Sequence, residues 1–400
     1  MRNPNGLQPG HAPDIVVADS IIGAPRMNPA TIDLDVDRIL AGLRPWVECE
    51  SPTFDAAAIG RMMDIASRDL ALLGASIERI PGRMGYGDCV RARFGHGGTQ
   101  PGILVLAHLD TVHPIGTLKM LPWKREAGRV YGPGICDMKG GTYMAVAAVR
   151  ALIQAGIATR LPVTILLTCD EEVGSPSTRD LIEAEAARNR FILLPEPGRP
   201  DNGVVTGRYA IARFRLETTG KPSHAGARLG EGCSAIAEMA RQIIAIEAMT
   251  TPDCTFSVGV IDGGQWVNCV STTCTAEALS MAKRQPDLDR GVAAMMGLKA
   301  KTNAQLSVVQ TVTRPVWEPD SGTMALYTHA RSLAQQIGFE IGHSSAAGGS
   351  DGNFTGAMGI PTLDGLGAVG DGYHTLGEYL REDSLVPRTR LLAGLLATLD

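Results

Sequence analysis

Aromatic side chains make up only 4% of the 400 residues, positive charge is in deficit, and long apolar runs are missing. Each shortage excludes something. A net charge of -5 leaves no basic stripe for a nucleic-acid backbone. No apolar run approaches the roughly 18 residues that a membrane-spanning helix requires, so neither nucleic acid nor membrane is expected as a partner. The opening stretch MRNPNGLQPGHAPD is polar and has no apolar core of the signal-peptide kind. The eight cysteines (Cys49, Cys89, Cys136, Cys169, Cys233, Cys254, Cys269 and Cys274) form no Cys-x-x-Cys pair. A chain this long needs no disulfide framework, so reduced thiols and a cytoplasmic location are expected.

What is present is the composition of a soluble α/β enzyme. Hydrophobic residues make up 44% and charged residues 20%, and 47 glycines with few aromatics imply many tight turns around an aliphatic core. The length exceeds one ordinary core and calls for two domains. Residues 1–28 read as a tail. Residues 55–73 repeat apolar positions at helical spacing. The unbroken runs GILVLA (102–107) and VTILLT (163–168) read as strands buried on both faces of a parallel sheet. Helices are expected over 140–155 and 177–188, and a strand at 191–195. After Gly207 the texture changes. YAIARFRLE (209–217) alternates apolar and polar, as a half-exposed antiparallel strand does. A helix at 232–248, strands at 255–262 and 306–313, and a further helix and strand near 286–300 complete a βαββαβ-like pattern. Beyond Arg314-Pro315 the α/β texture returns, with a helix at 321–336 and strands near 338–342 and 360–366. The predicted architecture is one catalytic domain with a mixed, mostly parallel sheet flanked by helices, built from 29–207 and 315–400. An α+β domain, 208–314, is inserted into it.

Carboxylates and histidines gather where such strands end. In open α/β sheets, ligands sit at the carboxyl ends of the strands. His108 and Asp110 in AHLD follow GILVLA directly, and Asp110 can orient the imidazole through its second nitrogen. Asp137 lies in the glycine-dense GPGICDMKGG (132–141), where it could equally cap the next helix. Asp170, Glu171 and Glu172 leave VTILLT in succession, an arrangement that repels itself unless cations or protons offset it. A metal ligand beside a general base resolves that conflict. Glu196 ends FILLPEP, and His374 stands in GDGYHT. Two histidines and three carboxylates form a nitrogen and oxygen set suited to Zn2+, with Mn2+ or Co2+ as substitutes. With Asp137 shared, the set could hold two ions about 3.5–4 Å apart. Cys136 reads as packing, Cys169 as core, His113 as a loop histidine with its own partner, and His11, His96, His329 and His343 as surface or helix residues.

In this order and spacing, His108-Leu109-Asp110, Asp137-Met138-Lys139-Gly140-Gly141, Glu171-Glu172-Val173-Gly174, Glu196, Ser223-His224-Ala225-Gly226 and Tyr373-His374-Thr375 resemble a metallopeptidase family. It is the co-catalytic family of glutamate carboxypeptidase, acetylornithine deacetylase, succinyl-diaminopimelate desuccinylase and the aminoacylases. GKPSHAGA (220–227), GGSDGN (348–353) and LGAVGDGYHT (366–375) look most like its glutamate carboxypeptidase branch. The resemblance implies that His108 and Glu196 bind one ion, Glu172 and His374 the other, and Asp137 both. It implies Glu171 as general base, Asp110 as the support of His108, and His224 as an oxyanion donor reaching a partner subunit's site. It further implies Asn268, Arg314 and Gly349 as binders of a substrate carboxylate, and a homodimer formed through the inserted domain. Relatives commonly carry Asp-x-Arg late in the insert where this chain reads AEALSMA (276–282), and NCVST (268–272) replaces the usual Asn-Val-x-Pro. The expected activity is hydrolysis of a C–N bond in a small acidic or amino-acid-like substrate. The alternative is an aminohydrolase on the same scaffold that releases ammonia from a small aromatic or amino-acid-like amine.

Overall fold

The computed structural model describes residues 28–95 and 100–400. The expected tail up to residue 27, with His11, and also His96 lie outside the described residues. Strands Gly102–His108 and Val163–Thr168 run parallel and side by side, and Asn189–Leu193 flanks the first on its other edge. Every residue of the first two is buried, because helices cover both faces of the sheet. Along Gly102–His108 the side chains alternate: Ile103, Val105 and Ala107 join one core cluster, while Leu104 and Leu106 join another. Ser76–Ile80 and Cys89–Phe94 extend the sheet antiparallel at one edge, and Thr362–Leu363 closes the other, giving six strands.

One face is covered by helices Val36–Glu48, Gly140–Gln154 and Glu382–Thr398, which touch one another. In the last of these Leu391, Leu392, Leu395 and Leu396 are fully buried. Each contributes about 1.5–3 kcal/mol of burial free energy, which fastens the returning C-terminal segment to the N-terminal half. Helix Ala56–Ala71 begins at Asp55, whose side chain accepts from the Ala58 N–H. Arg179–Ala186 and Gly352–Ala357 pack against each other on the opposite face.

Strands Ala210–Thr219, Cys254–Gly263, Thr273–Ala282 and Gln305–Arg314 form a separate antiparallel sheet, with Ala210–Thr219 and Thr273–Ala282 at its centre. Helices Ala235–Glu247 and Gln285–Met296 complete the βαββαβ order. Phe214, Leu216, Met239, Ile246 and Met295 give this unit a core of its own. The α/β class, with a mixed helix-flanked sheet and a second α+β unit, therefore matches the sequence expectation.

Three local expectations are corrected. The strand placed with a helix near 286–300 is Thr273–Ala282 and precedes that helix. Its small residues (TCTAEALSMA) give little apolar contrast to read. The strand expected near 338–342 is His343–Ala346, because Gly338 (φ 103°) ends the preceding helix and residues 339–342 are spent returning to the sheet. The strand expected at 360–366 shrinks to Thr362–Leu363. All eight cysteines are free, and among the described residues no helix is long and apolar enough to cross a membrane.

Candidate metal centre and active site

Three neighbouring parallel strands end at one place. His108 is the last residue of the central strand, Glu171 and Glu172 follow Thr168 on one side, and Glu196 follows Asn189–Leu193 on the other. Asp137 enters from the loop before helix Gly140–Gln154. That helix is flanked at its start by Lys139, so Asp137 is not its cap. The helix approaches so closely that a Cβ on Gly141 would lie 1.8 Å from the Pro195 carbonyl oxygen, which keeps Asp137 against Glu196. His374 arrives from the C-terminal segment with φ 66°, a left-handed conformation that side-chain-bearing residues seldom adopt.

The side chains form two trios with one shared member. The Nε2 of His108 lies 3.4 Å from Oδ1 of Asp137 and 3.8 Å from Oε1 of Glu196. The Nε2 of His374 lies 3.2 Å from Oδ2 of Asp137 and 3.1 Å from Oε2 of Glu172. Asp137 thus turns one oxygen to each histidine. Ligands about 2.0–2.1 Å from a tetrahedral zinc stand about 3.3 Å from one another, so both trios have suitable spacing. Within each trio the ligand atoms lie within 4.8 Å of one another. Nε2 of His108 and Oε1 of Glu172 are buried without a hydrogen-bond partner, as lone pairs reserved for an ion would be. The donor set fits a pair of divalent cations.

Supporting contacts fix this geometry. The Asp110 carbonyl oxygen lies 3.0 Å from Nδ1 of His108, which leaves Nε2 facing the trio. Oδ1 and Oδ2 of Asp110 accept from the N–H groups of Glu171 (3.2 Å) and Glu172 (3.3 Å). Glu378, which sequence reasoning missed, accepts from the N–H groups of Gly134 (2.9 Å), Cys136 (2.8 Å) and Asp137 (3.1 Å). It also meets Nε2 of His113 at 2.7 Å. A residue four positions beyond His374 therefore pins the Asp137 loop. The only sequence signal was a lone acid in LGEYL, and its partners are remote in the chain.

The cluster holds more negative charge than its surroundings offset. Burial pushes Glu171 up to about 8, against the pull of Arg314. Burial also raises Glu196 well above the usual carboxylate range and raises Glu172 against its hydrogen bond to His374. Burial opposes the charge on Asp137, but its hydrogen bonds to His108 and His374 prevail and lower it. Hydrogen bonds to Asp137 and Glu172 push His374 up to about 10, and Asp110 and Asp137 hold His108 raised in spite of its burial. Without a cation, the site takes up protons instead. At pH 7 a loading ion must displace the proton of His374, so binding should release protons and weaken as pH falls. In calorimetric titration of the apoprotein, the apparent heat should vary with the buffer's ionisation enthalpy. A heat identical in all buffers would contradict the ligand assignment.

Around the trios opens a cleft of about 460 Å³. Gly349 lines it, and a Cβ there would lie 2.6 Å from Cδ1 of Ile211 and 2.7 Å from Cδ of Arg314. Arg314 also reaches the cleft, but its guanidinium is directed inward. Nη2 donates to the Glu171 carboxylate (2.7 Å) and carbonyl (3.0 Å), and Nη1 donates to Asp351 (3.0 Å). Arg208, Arg199 and Arg213, none of them singled out in the sequence, line the same cleft. His224 and Asn268 do not. They lie together on the second unit, where the Ala225 N–H donates to the Asn268 carbonyl (3.0 Å), and both are exposed.

The model of peptidase family M20/M25/M40 matches residues 104–398, a span that holds both trios, Glu171 and Arg314. Carboxypeptidase G2 of Pseudomonas sp. (strain RS-16) is 29% identical over 371 residues, covering 89% of this chain and 88% of its own length. An M20 family metallo-carboxypeptidase from Sulfolobus solfataricus superposes with a TM-score of 0.72 at 16% identity, covering 91% of this chain and 99% of its own. A tripeptidase from Staphylococcus aureus gives the same TM-score at 19% identity, covering 91% and 98%. The chain belongs to peptidase family M20/M25/M40, and is a metal-dependent hydrolase acting on C–N bonds.

Proposed function

We propose that this protein is a glutamate-carboxypeptidase-like amidase that cleaves a small, carboxylate-bearing substrate with a water deprotonated by Glu171. The observation that carries the reading is the shared Asp137 between two histidine–carboxylate trios, with Oε2 of Glu171 3.9 Å from Nε2 of His108. His108, Asp137 and Glu196 would hold one ion, and Asp137, Glu172 and His374 the other. Zn2+ suits this donor set, and Mn2+ or Co2+ would substitute. Bound there, the ions would acidify a water and polarise the scissile carbonyl. Glu171 takes the proton of the attacking water and returns it to the leaving amine as the tetrahedral intermediate collapses. Asp110 holds the backbone of Glu171 and Glu172 in place for this transfer, and Arg314 holds the Glu171 carboxylate.

His224 acts from a second copy of the chain. Its Nδ1 accepts from the N–H groups of Gly226 (3.1 Å) and Ala227 (3.0 Å), so the neutral ring carries its proton on Nε2, ready to donate to an oxyanion. Asn268 stands beside it for the substrate. Exposed Ile244, Trp266 and Val267 on the same unit (72%, 72% and 102% accessible) suit a homodimer made through residues 208–314. Residues 29–207 with 315–400 form the catalytic domain, and the enzyme works in the cytoplasm.

The altered insert segment AEALSMA keeps the aminohydrolase as a second reading. Apoprotein reloaded with Zn2+, Mn2+ or Co2+ should be screened against acyl-, aryl- and folyl-amino acids and free aromatic amines, with amino acid and ammonia assayed separately. Amino acid without ammonia is the expected result. Ammonia alone would transfer the assignment to the aminohydrolase, and no product with any metal would sink both.

A further inference from the structure

Four arginines line the cleft, and they are not equivalent. Arg208 is buried and committed: Nε donates to Asp364 at 2.6 Å, and Nη1 donates to the carbonyl of Gly348 at 2.8 Å. Arg314 is likewise taken up by Glu171 and Asp351. Neither guanidinium can grip a substrate anion without stranding a buried carboxylate, which costs far more than a surface contact returns. Arg199 and Arg213 differ. Both are half-buried, and among the described residues neither meets a carboxylate. The side chain of Arg213 has one hydrogen bond there, from Nη1 to the Val173 carbonyl at 3.2 Å, and that of Arg199 has none. A half-buried guanidinium with most of its donors unspent, facing a cleft, is a ready site for an anion.

Their anchorage places them on either side of the metal trios. Arg213 stands two residues after Ile211 on strand Ala210–Thr219, so both face the cleft. Val173, to which Arg213 is tied, belongs to the loop after strand Val163–Thr168. Arg199 belongs to the loop after strand Asn189–Leu193. The strand that ends in His108 runs between those two. Adjacent strands lie about 4.8 Å apart, so the two anchoring loops leave strands separated by about 10 Å. The scissile amide, seated over His108, would have one free cation on each flank.

We propose that the substrate carries a negative charge on each side of the scissile amide, one read by Arg213 and the other by Arg199. The substrate class is then N-acyl amino acids whose acyl arm itself ends in a carboxylate. This rests on the amide-hydrolase reading above and names the selectivity of that same site.

Three probes separate the two charges: N-succinyl-L-alanine with both, N-butanoyl-L-alanine with the amine-side charge only, and N-succinyl-ethylamine with the acyl-side charge only. The metal-loaded enzyme should prefer the doubly charged probe over each of the others by about 10- to 100-fold in kcat/KM, the range of a charge-assisted hydrogen-bonded pair. Arg213→Gln should erase one of these preferences and Arg199→Gln the other, while Arg213→Lys and Arg199→Lys, which keep the charge, should retain part of each. Equal loss of both preferences in one variant would overturn the proposal, as would a wild-type enzyme that treats all three probes alike. If no probe is hydrolysed with any metal, the amidase reading fails by itself. The same probes then serve as ligands in calorimetric titration, where the preference must appear in Kd and respond to the same substitutions, or the charge assignment fails too.

Discussion

Metal-loaded Glu171→Gln is expected to turn over substrate about 10²- to 10⁴-fold more slowly than the wild type, the span that a positioned general base supplies. Glutamine has the same shape and keeps an oxygen toward Arg314, which lies 2.7 Å from the carboxylate it replaces. It cannot take a proton from water. Because Glu171 belongs to neither trio, both ions should remain, and the loss should fall on kcat rather than KM. Metal analysis beside steady-state kinetics makes the distinction. Near-normal kcat would remove Glu171 from the proton path, and a variant that loses metal would make it a ligand instead.

Asp137→Asn should be more destructive, because it strikes both trios at once. The two carboxylate oxygens face different histidines, Oδ1 toward His108 and Oδ2 toward His374. An amide presents one oxygen and one N–H2 in their place, so at least one ion loses a ligand and meets a donor hydrogen. Partners that merely support a metal ligand are worth about 10- to 100-fold in affinity, and a shared ligand should exceed that at both sites. After dialysis, Asp137→Asn should hold close to no metal and show no measurable turnover, whereas His374→Ala should lose one ion and keep the other. An Asp137→Asn protein that still holds two ions would dismantle the shared-ligand arrangement.

The parts of this centre that the sequence displayed are those whose physics is local. GILVLA and VTILLT read as buried parallel strands because both faces are covered, and the residues after such strands must emerge at the site edge. Three successive acids leaving an apolar strand announced an unbalanced charge that the folded chain indeed carries, in the raised Glu171 and Glu172. What stayed illegible depends on a distant partner. Glu378 carries no motif, and its work lies in three N–H groups of a loop remote in the chain. Arg213 occupies a polar position of an alternating strand, where the pattern reads water; the polar side there faces the cleft. Arg314 stood out as a cleft residue, yet its guanidinium turns to Glu171 and Asp351, a choice that no spacing encodes. The weak strand Thr273–Ala282 escaped notice because alanine, serine and threonine alternate without apolar contrast.

The two trios draw on very different stretches of chain. His108, Asp137 and Glu196 all precede the second unit, while His374 follows it, held near the C-terminus by Glu378 and by the buried leucines of helix Glu382–Thr398. On the ribosome, every member of the first trio emerges before the insert is made, and the second trio is complete only after almost the whole chain has been released. Domains fold as they appear, N-terminal parts first. Cofactor acquisition then has a built-in order: the first ion can be taken up by a nascent chain, and the second certifies that synthesis has run to its end. A truncated product would carry one ion and no complete active site, so premature chains stay catalytically silent.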